Sequence, residues 1–345
     1  MKKIVFCGGG SAGHVIPNIA LYEDLKDKFE ICYLGTPSIE REICAKFGVP
    51  FHEFDAVKLV RGKIFANFGI PFKLIKSYKR CKEILNEIKP DLLFCKGGYV
   101  CLPAAYAAAS LKIPVLTHES DMTAGLTNKL IARKCERVLT TFPQTAKSFK
   151  RGVYTGSPMR KMLFGRDRLA SKERLGLNLR PTILVFGGGS GSQKINEALR
   201  KNLLALCEKY NVIHICGKGK TIDCKIDGYR QIEFTEDMGL IYACADYAVA
   251  RCGSNSANEL IALKIPTLFI PLEKASRGDQ VVNAQYFKSQ GLCHVLKESE
   301  LSASTLARSI DALIADDKLK TALERTSVKC GNNNIEMEIE RILSR

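Results

Sequence analysis

Short apolar runs alternate with longer amphipathic stretches along the chain. The runs are rich in Val, Ile, Leu, Phe and Cys, and most of the stretches between them repeat their apolar positions at helical spacing. This alternation is typical of parallel βαβ units and predicts an α/β fold. The predicted strands are Lys3–Cys7, Ile31–Leu34, Leu92–Cys95, Val115–Thr117 and Val138–Thr140, followed by Thr182–Phe186, Val212–Cys216, Tyr247–Ala250 and Thr267–Ile270.

The two series of strands open in the same way, which predicts two domains. The first strand runs into Gly8-Gly9-Gly10-Ser11, and the first strand of the second series runs into Gly187-Gly188-Gly189-Ser190. The polar segment 165–180 is typical of a linker with a short helix. We expect an N-terminal domain over residues 1–160 and a C-terminal domain over 161–331. A final amphipathic helix within 332–345, with packing against the first domain as one option, is indicated by Ile335, Ile339, Ile342 and Leu343.

The first glycine turn has the spacing of a dinucleotide-binding fingerprint, Gly8-x-Gly10-x-x-Gly13, and precedes the helical pattern Asn18–Leu25. That fingerprint also needs an acid near the end of the second strand to hold a ribose. The second strand ends at Leu34, and no carboxylate follows until Glu40. The turn therefore favours a phosphate over NAD, because a glycine turn presents backbone N–H groups at a helix N-terminus.

The second glycine turn, 187–193, offers the same N–H groups together with serine hydroxyls. It precedes one predicted helix, marked by Ile195, Leu199, Leu203 and Leu206. A tight turn without any ligand remains the alternative for either turn. Two such turns in matched halves instead suggest a cleft between the domains, with one substrate on each side.

Composition and charge narrow the class of protein. The chain has 345 residues, of which 46% are apolar, and its net charge at pH 7 is +16. This balance excludes a disordered or collagen-like chain and calls for an anionic partner: nucleic acid, a phosphorylated substrate or an acidic membrane. The 14 Cys form no C-x-x-C pair, and no secretory leader is evident. Scattered thiols of this kind are typical of a reducing cytosol.

One acid-free window carries half of the net charge. The segment Ala56–Lys82 contains eight Lys and Arg residues and no Asp or Glu. Within it, the apolar segment Ile64–Phe72 is expected to form a loop and, with the nearby Lys and Arg, to contact an anionic membrane surface. A solvated basic face and nucleic-acid binding are the alternatives. Helical spacing indicates core positions for Leu74, Tyr78, Cys81 and Leu85.

Several strings identify a family when they are taken together in order and spacing. The strings are Gly8-Gly9-Gly10-Ser11-Ala12-Gly13-His14, Gly97-Gly98-Tyr99-Val100, His118-Glu119-Ser120-Asp121-Met122-Thr123-Ala124-Gly125-Leu126-Thr127-Asn128, Gly156-Ser157-Pro158-Met159-Arg160, Gly188-Gly189-Ser190-Gly191-Ser192-Gln193-Lys194-Ile195-Asn196, Arg251-Cys252-Gly253-Ser254-Asn255-Ser256-Ala257-Asn258-Glu259 and Gly278-Asp279-Gln280-Val281-Val282-Asn283-Ala284. Together they resemble the MurG family of GT-B glycosyltransferases, which add N-acetylglucosamine to lipid-linked N-acetylmuramoyl-pentapeptide in peptidoglycan synthesis.

The resemblance implies two Rossmann-like domains that face across a cleft. The N-terminal domain would take an undecaprenyl-linked acceptor, and the C-terminal domain would take UDP-N-acetylglucosamine, at the cytoplasmic face of the cell membrane. Transfer to the acceptor's C4 hydroxyl would proceed with inversion. Another inverting GT-B enzyme with a different nucleotide sugar or glycolipid acceptor is the alternative, and a basic nucleic-acid-binding protein is the third possibility.

The resemblance also implies a donor site. Arg160 would face the diphosphate, Thr235 would meet the uracil, and Glu259 would accept hydrogen bonds from the ribose. A surface arginine and an ordinary first-turn helix acid are the alternatives for Arg160 and Glu259, and helix capping is the alternative for Asp279 and Gln280. The remaining donor residues would be Gly189 and Ser190 in the glycine turn, Gly253, Ser254, Asn255 and Ser256 at the phosphates, and Asp279 and Gln280 at the sugar hydroxyls.

The acceptor site and the catalytic base would lie in the N-terminal domain. His14 follows the first glycine turn, which makes its imidazole the first candidate base. Asp121 stands where other members carry Asn, so its carboxylate is the second. Acceptor contacts would come from Ser11, Ala12, Gly13, Tyr99 and Asp121.

No carboxylate pair resembles a metal-chelating D-x-D motif. We therefore expect catalysis without a metal or other cofactor, with the leaving diphosphate stabilised by arginine, helix N-termini and loop N–H groups.

Overall fold

The computed structural model describes residues 1–58, 70–274 and 278–345. Within this part, the chain forms two compact units. Met1–Arg160 and Cys330–Arg345 form the first unit, and Lys161–Lys329 forms the second.

The first unit is built on a sheet of parallel strands. Its strands are β1 (Lys3–Cys7), β2 (Glu30–Gly35), β3 (Phe51–Glu53), β4 (Leu92–Cys95), β5 (Val115–Glu119), β6 (Arg137–Thr140) and β7 (Gly152–Tyr154). Their order is β3-β2-β1-β4-β5-β6-β7, so the strand order reverses between β1 and β4. The inner strands β1, β4 and β5 are buried throughout most of their length, as expected for strands that helices cover on both faces.

Helices connect these strands on both sides of the sheet. Their N-termini therefore lie at the sheet edge where the strands end. The helices are α1 (Ala12–Leu25), α2 (Ile39–Lys46), α3 (Ile70–Ile88), α4 (Cys101–Ser110), α5 (Leu126–Ile131) and α6 (Pro143–Lys147).

The second unit repeats this architecture. Its strands are β8 (Thr182–Phe186), β9 (Asn211–Ile215), β10 (Tyr229–Ile232), β11 (Tyr247–Ala250), β12 (Thr267–Phe269) and β13 (His294–Val295). All are parallel, in the order β10-β9-β8-β11-β12-β13, with the reversal between β8 and β11. Its helices are α7 (Arg168–Arg174), α8 (Gln193–Arg200), α9 (Leu203–Lys209), α10 (Met238–Cys244), α11 (Ser254–Ala262), α12 (Asp279–Ser289), α13 (Ala303–Ile314) and α14 (Asp317–Arg325). The predicted fold class of two parallel-sheet α/β domains is confirmed.

The C-terminal helix α15 (Asn332–Leu343) belongs to the first unit. At its start, the Asn332 side chain accepts a hydrogen bond from the Met159 N–H at 2.9 Å and donates to the Met159 carbonyl at 2.9 Å. The same amide donates to Asp24 on α1 at 2.8 Å. The buried Ile335, Ile339 and Ile342 join the apolar core between α1 and the sheet.

The strands missing from the prediction are sheet edges. They are β3, β7, β10 and β13. Edge strands are less buried than central ones, so their sequences carry a weaker apolar signal. None of the helices in the described part of the chain is both long enough and apolar enough to span a membrane.

Two helix predictions are corrected. Helix α1 begins at Ala12 rather than at Asn18, because its first three residues, Ala12, Gly13 and His14, show no apolar spacing. The prediction of a single helix from Ile195 through Leu206 is wrong, because α8 ends at Arg200 and a separate helix, α9, begins at Leu203. The Asn202 amide between them donates to the Ala198 carbonyl at 2.9 Å. Such a bond competes with continued backbone pairing in the helix.

The predicted membrane loop falls mostly on residues 59–69, which lie outside the described residues. Its last part is corrected: Ile70, Pro71 and Phe72 begin helix α3, where Ile70 is buried and Phe72 is 77% exposed. Cys81 and Leu85 are buried in the core, as predicted. Leu74 and Tyr78 are half-buried, and Tyr78 packs against that core. They line an apolar groove that is described below.

Candidate functional site

The first glycine turn joins β1 to α1 beside the reversal of strand order in the first unit. Open α/β sheets bind ligands at such reversals, beyond the carboxyl ends of the strands. The Tyr33 hydroxyl donates to the Gly8 carbonyl at 2.7 Å, and the Gly9 N–H donates to the Gly97 carbonyl at 3.3 Å. These bonds hold the turn against the loop that follows β4.

Glu40 supplies a carboxylate to this turn from α2. Its side chain is fully buried, and its Oε1 accepts the Gly10 N–H at 2.8 Å and the Thr36 hydroxyl at 3.1 Å. The predicted phosphate at this turn therefore cannot use the N–H of Gly10, because that N–H already has an anionic acceptor. The predicted contacts beyond it, at the start of α1, are Ser11, Ala12 and Gly13.

His14 lies in the first turn of α1 and is oriented by a backbone carbonyl. Its Nδ1 lies 3.2 Å from the Lys96 carbonyl oxygen, so a hydrogen on Nδ1 donates there and the lone pair is on Nε2. Burial lowers the pKa of His14 below its ordinary value, and the Lys96 ammonium lowers it further. A neutral imidazole with a free Nε2 is the form that can accept a proton.

Lys96 is a site residue that the sequence analysis missed. It follows β4 directly, its side chain is almost fully buried, and its Nζ donates to the Ser120 hydroxyl. Burial lowers the pKa of Lys96 to about 8. The signal in the sequence is a lysine placed immediately after a buried apolar strand and before two glycines.

The loop after β5 is organised by Glu119. This carboxylate accepts the N–H groups of Asp121 at 3.0 Å and Gly125 at 2.8 Å, and the Asn128 amide at 2.8 Å. His118 is buried, and its Nε2 lies 2.9 Å from the Gly156 carbonyl oxygen. Burial keeps the pKa of His118 well below its ordinary value. Glu119 and His118 therefore shape the loop, and the half-buried Asp121 follows at the carboxyl end of β5.

The first unit thus brings the predicted acceptor-side residues to one edge of its sheet. The loops after β1, β4 and β5 are adjacent because these strands are neighbours. The Tyr99 ring packs against Gly10, where an added Cβ would lie 2.7 Å from Tyr99 Cε1. Gly10 also has a positive φ of 82°, so a side chain there would be strained for two reasons.

Arg160 is the last residue of the N-terminal part of the first unit. It is buried, with 8% of its surface exposed, so the alternative of a surface arginine is wrong. The other predicted donor-site residues lie in the second unit.

The second glycine turn joins β8 to α8 beside the reversal of strand order in the second unit. Ser192 caps α8, since its hydroxyl accepts the Ile195 N–H at 3.5 Å. Gly191 has a φ of 68°, and an added Cβ would overlap the Cys216 carbonyl oxygen at 2.0 Å. At Gly188 and Gly189, an added Cβ would meet no atom of the described residues within 4 Å. This side of the turn is open.

Helix α11 begins on the other side of this reversal. Gly253 is its N-cap residue and has no side chain with which to cap the helix. Glu259 lies beyond the first turn, so the alternative of a first-turn acid is wrong. The Tyr242 hydroxyl donates to Glu259 Oε2 at 2.9 Å, which orients the carboxylate. Ser254, Asn255 and Ser256 form the first turn of α11.

A buried ion pair that the sequence analysis missed connects the two loops. Arg251, directly after β11, donates to the Ser192 hydroxyl at 2.8 Å and to the Ile270 carbonyl at 3.0 Å. Its guanidinium also pairs with the buried Glu298. A single side chain therefore ties the glycine turn to the loops after β11 and β12.

The remaining predicted donor residues also follow the carboxyl ends of strands. Thr235 follows β10, and its hydroxyl accepts the Asp237 N–H at 3.2 Å. Gln280 does not cap α12, because its Oε1 accepts the Leu272 N–H at 3.0 Å and so fixes the loop after β12. Asp279 is the first residue of α12, directly after the N-cap residue Gly278.

Two parallel-sheet α/β units, each with its candidate ligand residues at a reversal of strand order, are the arrangement of the GT-B glycosyltransferases. The chain belongs to glycosyltransferase family 28. The Glycosyltransferase family 28 N-terminal domain matches residues 4–140, and the Glycosyltransferase family 28 C-terminal domain matches residues 182–336.

Curated relatives match over nearly their whole length. A protein of Lachnoclostridium phytofermentans is 41% identical, with 97% of this chain and 96% of that protein covered. One of Clostridium botulinum (strain Alaska E43) is 42% identical, with coverages of 99% and 97%. Both are named UDP-N-acetylglucosamine--N-acetylmuramyl-(pentapeptide) pyrophosphoryl-undecaprenol N-acetylglucosamine transferase.

Solved structures share the fold. MurG of Acinetobacter baumannii aligns with a TM-score of 0.77 and 24% identity, covering 99% of this chain and 100% of that one. The calicheamicin glycosyltransferase CalG4 aligns with a TM-score of 0.73 and 15% identity, covering 100% and 99%. At these identities, the structures establish the GT-B fold alone.

Proposed function

We propose that this protein transfers N-acetylglucosamine from UDP-N-acetylglucosamine to the C4 hydroxyl of lipid-linked N-acetylmuramoyl-pentapeptide, with inversion at the anomeric carbon. The observation that carries this proposal is identity of about 41% to relatives named for that reaction, over nearly the whole length of both chains. The reaction is a step of peptidoglycan synthesis.

The second unit binds the donor in this proposal. The N-terminus of α11 and the open glycine turn direct backbone N–H groups at the diphosphate, and the helix dipole favours that charge. Arg160 adds a cation. Glu259 accepts hydrogen bonds from the ribose hydroxyls, and the Thr235 backbone meets the uracil. The other proposed donor contacts are Gly189, Ser190, Gly253, Ser254, Asn255, Ser256, Asp279 and Gln280.

Glu259→Gln tests the ribose contact. A hydrogen bond to a charged group contributes about 1.5–3 kcal/mol, so we expect UDP affinity, measured by calorimetry, to fall about 10- to 100-fold. Tyr242→Phe removes only the bond that orients Glu259, and a smaller loss is expected. Glu208→Gln, at an exposed position of α9, is the matched control. Equal UDP affinity in Glu259→Gln and in the control would contradict the assignment.

The first unit binds the acceptor and activates its hydroxyl. As the C4 oxygen attacks the anomeric carbon, the bond from that carbon to the UDP phosphate oxygen breaks, and the hydroxyl proton passes to a base. His14 is ranked first as the base because its Nδ1 is held by the Lys96 carbonyl and its lowered pKa keeps Nε2 unprotonated. Asp121 is ranked second. Ser11, Ala12, Gly13 and Tyr99 are the other proposed acceptor contacts.

A basic apolar face of the first unit suits an anionic bilayer. We define this face by five exposed apolar residues on α3, α4 and α5: Phe72, Ile75, Tyr106, Leu126 and Leu130. Beside them lies a groove of about 320 Å³, lined by Leu74, Ile75, Tyr78, Leu102, Pro103, Tyr106 and Leu130. Exposed cations on the same helices and the turn after α5 are Lys73, Lys76, Lys79, Lys129, Arg133 and Lys134.

These features support a peripheral location at the cytoplasmic face of the cell membrane. Exposed apolar side chains gain free energy on entering the lipid interface, and each basic residue near anionic lipid adds about 1 kcal/mol. Lys134 Nζ lies 5.7 Å from the centre of the Tyr106 ring, so charge and apolar surface are interleaved.

Phe72→Ser combined with Ile75→Ser tests the membrane contact. We expect at least about tenfold weaker co-sedimentation with vesicles that contain phosphatidylglycerol, because each large apolar side chain contributes about 1.5–3 kcal/mol when buried. Leu179→Ser, at an exposed leucine of the second unit, is the control. Binding that does not depend on anionic lipid would contradict the proposal. Salt-sensitive RNA binding at physiological ionic strength would favour the nucleic-acid alternative.

A transfer assay tests the function itself. UDP-N-acetylglucosamine and UDP-glucose are offered with a short-chain analogue of the lipid-linked acceptor, with and without EDTA. We expect transfer from UDP-N-acetylglucosamine alone, and equal rates in the chelator. Preferred transfer from UDP-glucose would assign a different inverting activity, and loss of turnover in EDTA would contradict catalysis without a metal.

A further inference from the structure

Lys96 is a buried cation that the proposed mechanism does not use. Only 1% of its surface is exposed, and an isolated ammonium at such depth is strongly unfavourable unless it is paired. Its side-chain Nζ donates to Ser120, and its backbone carbonyl lies 3.2 Å from Nδ1 of His14. One residue therefore contacts both the helix that carries the first candidate base and the loop that carries the second.

Two carboxylates provide the opposing charge. Glu119 and Asp121 flank Ser120 in the chain, and both act on the Lys96 ammonium. Glu119 already accepts three hydrogen bonds from its own loop, including that of the Asp121 N–H. The half-buried Asp121 directly follows Ser120, the residue that Lys96 contacts.

We propose that Lys96 positions Asp121. Its ammonium holds the Ser120-Asp121 segment beside the first glycine turn, and its positive charge balances the Asp121 carboxylate. The Lys96 side chain also packs against this turn: a Cβ added at Gly8 would lie 3.2 Å from Lys96 Cβ. Loss of the ammonium removes a positive charge that acts on the half-buried Asp121, and it releases the loop from its contact at Ser120.

The same ammonium affects the titration of His14. The charged and titratable groups that act on His14 are Lys96, the Cys101 thiol and Glu119. Those that act on Lys96 are Glu119, Asp121 and Cys101. Because the positive charge of Lys96 lowers the pKa of His14, its removal raises that pKa. A role of Lys96 limited to packing would leave the titration of His14 unchanged.

The test is a double-mutant cycle of Lys96→Met and Asp121→Asn in the full-length chain. Lys147→Met, at an exposed position of α6, is the matched control. We expect Lys96→Met to lower the Tm of the first unit and to raise the pKa of His14 in NMR titrations of the imidazole. The double variant, in which both charges are removed, is expected to regain part of the lost Tm, because contacting residues are non-additive.

Additive Tm changes together with an unchanged His14 titration would overturn the proposal. Only one expectation rests on the proposed function: Lys96→Met should lower kcat/KM about tenfold. Unfolding and NMR would still report on Lys96 if the protein transferred no sugar. Should Lys96→Met fail to fold, Ser120→Ala replaces it: an at least fivefold loss of kcat/KM supports the proposal, and parental activity overturns it.

Discussion

Replacing His14 with alanine is expected to lower kcat by about 10²- to 10⁴-fold, the usual contribution of a positioned general base. Substrate affinity should change little, because in the proposed mechanism the imidazole acts on the proton that moves during the reaction. The pKa of His14 lies below its ordinary value of 6.5, so its imidazole is neutral at pH 7. In the parent enzyme, kcat/KM should therefore fall only as the pH drops below about 6.5.

Asp121→Asn decides between the two candidate bases. If His14 is the base, the fall of kcat/KM at low pH disappears in His14→Ala and persists in Asp121→Asn. Near-normal turnover in His14→Ala, with turnover abolished in Asp121→Asn, would reverse the ranking. Steady-state kinetics from pH 5 to 8, with saturating UDP-N-acetylglucosamine, distinguish these outcomes. Binding of UDP to each variant verifies that the proposed donor site is intact.

Arg251→Met is expected to have the largest effect on stability. It leaves the buried Glu298 without its guanidinium partner, and breaking such a pair lowers the free energy of unfolding by about 3–5 kcal/mol. Lys194 Nζ lies 3.7 Å from Glu298 and can replace the lost positive charge. It does so only in part, because the Lys194 side chain is largely exposed to water. For a unit of this size, a loss of about 3 kcal/mol lowers Tm by about 6–12 °C, measurable by calorimetry.

A second substitution separates the lost pair from lost packing. Arg251→Met combined with Glu298→Leu removes both charges, so part of the lost stability should return. Lys297→Met breaks the exposed pair with Glu300 at 3.1 Å and should leave Tm nearly unchanged. A Tm for Arg251→Met within about 2 °C of the parent would show that the buried pair contributes little.

Sequence reasoning predicts the inner strands well and the edges poorly. The inner strands β1, β4, β8 and β11 were expected with the bounds that the structure has, because a strand buried on both faces must be apolar throughout. Edge strands need no such pattern. The helix break at Asn202 also leaves no apolar signal, since it depends on a side-chain hydrogen bond.

Apart from Thr235, sequence reasoning predicted candidate-site residues only within a glycine turn or within one of the strings that resemble the family. Glu40 reaches the first glycine turn from another helix, and Glu298 reaches Arg251 from 47 positions away. The partners in each pair are far apart in the sequence, so no local pattern predicts the contact. Lys96 and Arg251 share one usable signal: each is a charged residue directly after a buried strand, where a parallel sheet places its ligands.

The return of α15 to the first unit makes that unit discontinuous in the chain. Its apolar face around α1 lacks Ile335, Ile339 and Ile342 until α15 has been synthesised. Most domains can close as soon as they leave the ribosome, in order from the N-terminus. Here the second unit, which is continuous, can complete its fold while the first still waits for α15. The order of synthesis and the order of completed folding are therefore reversed.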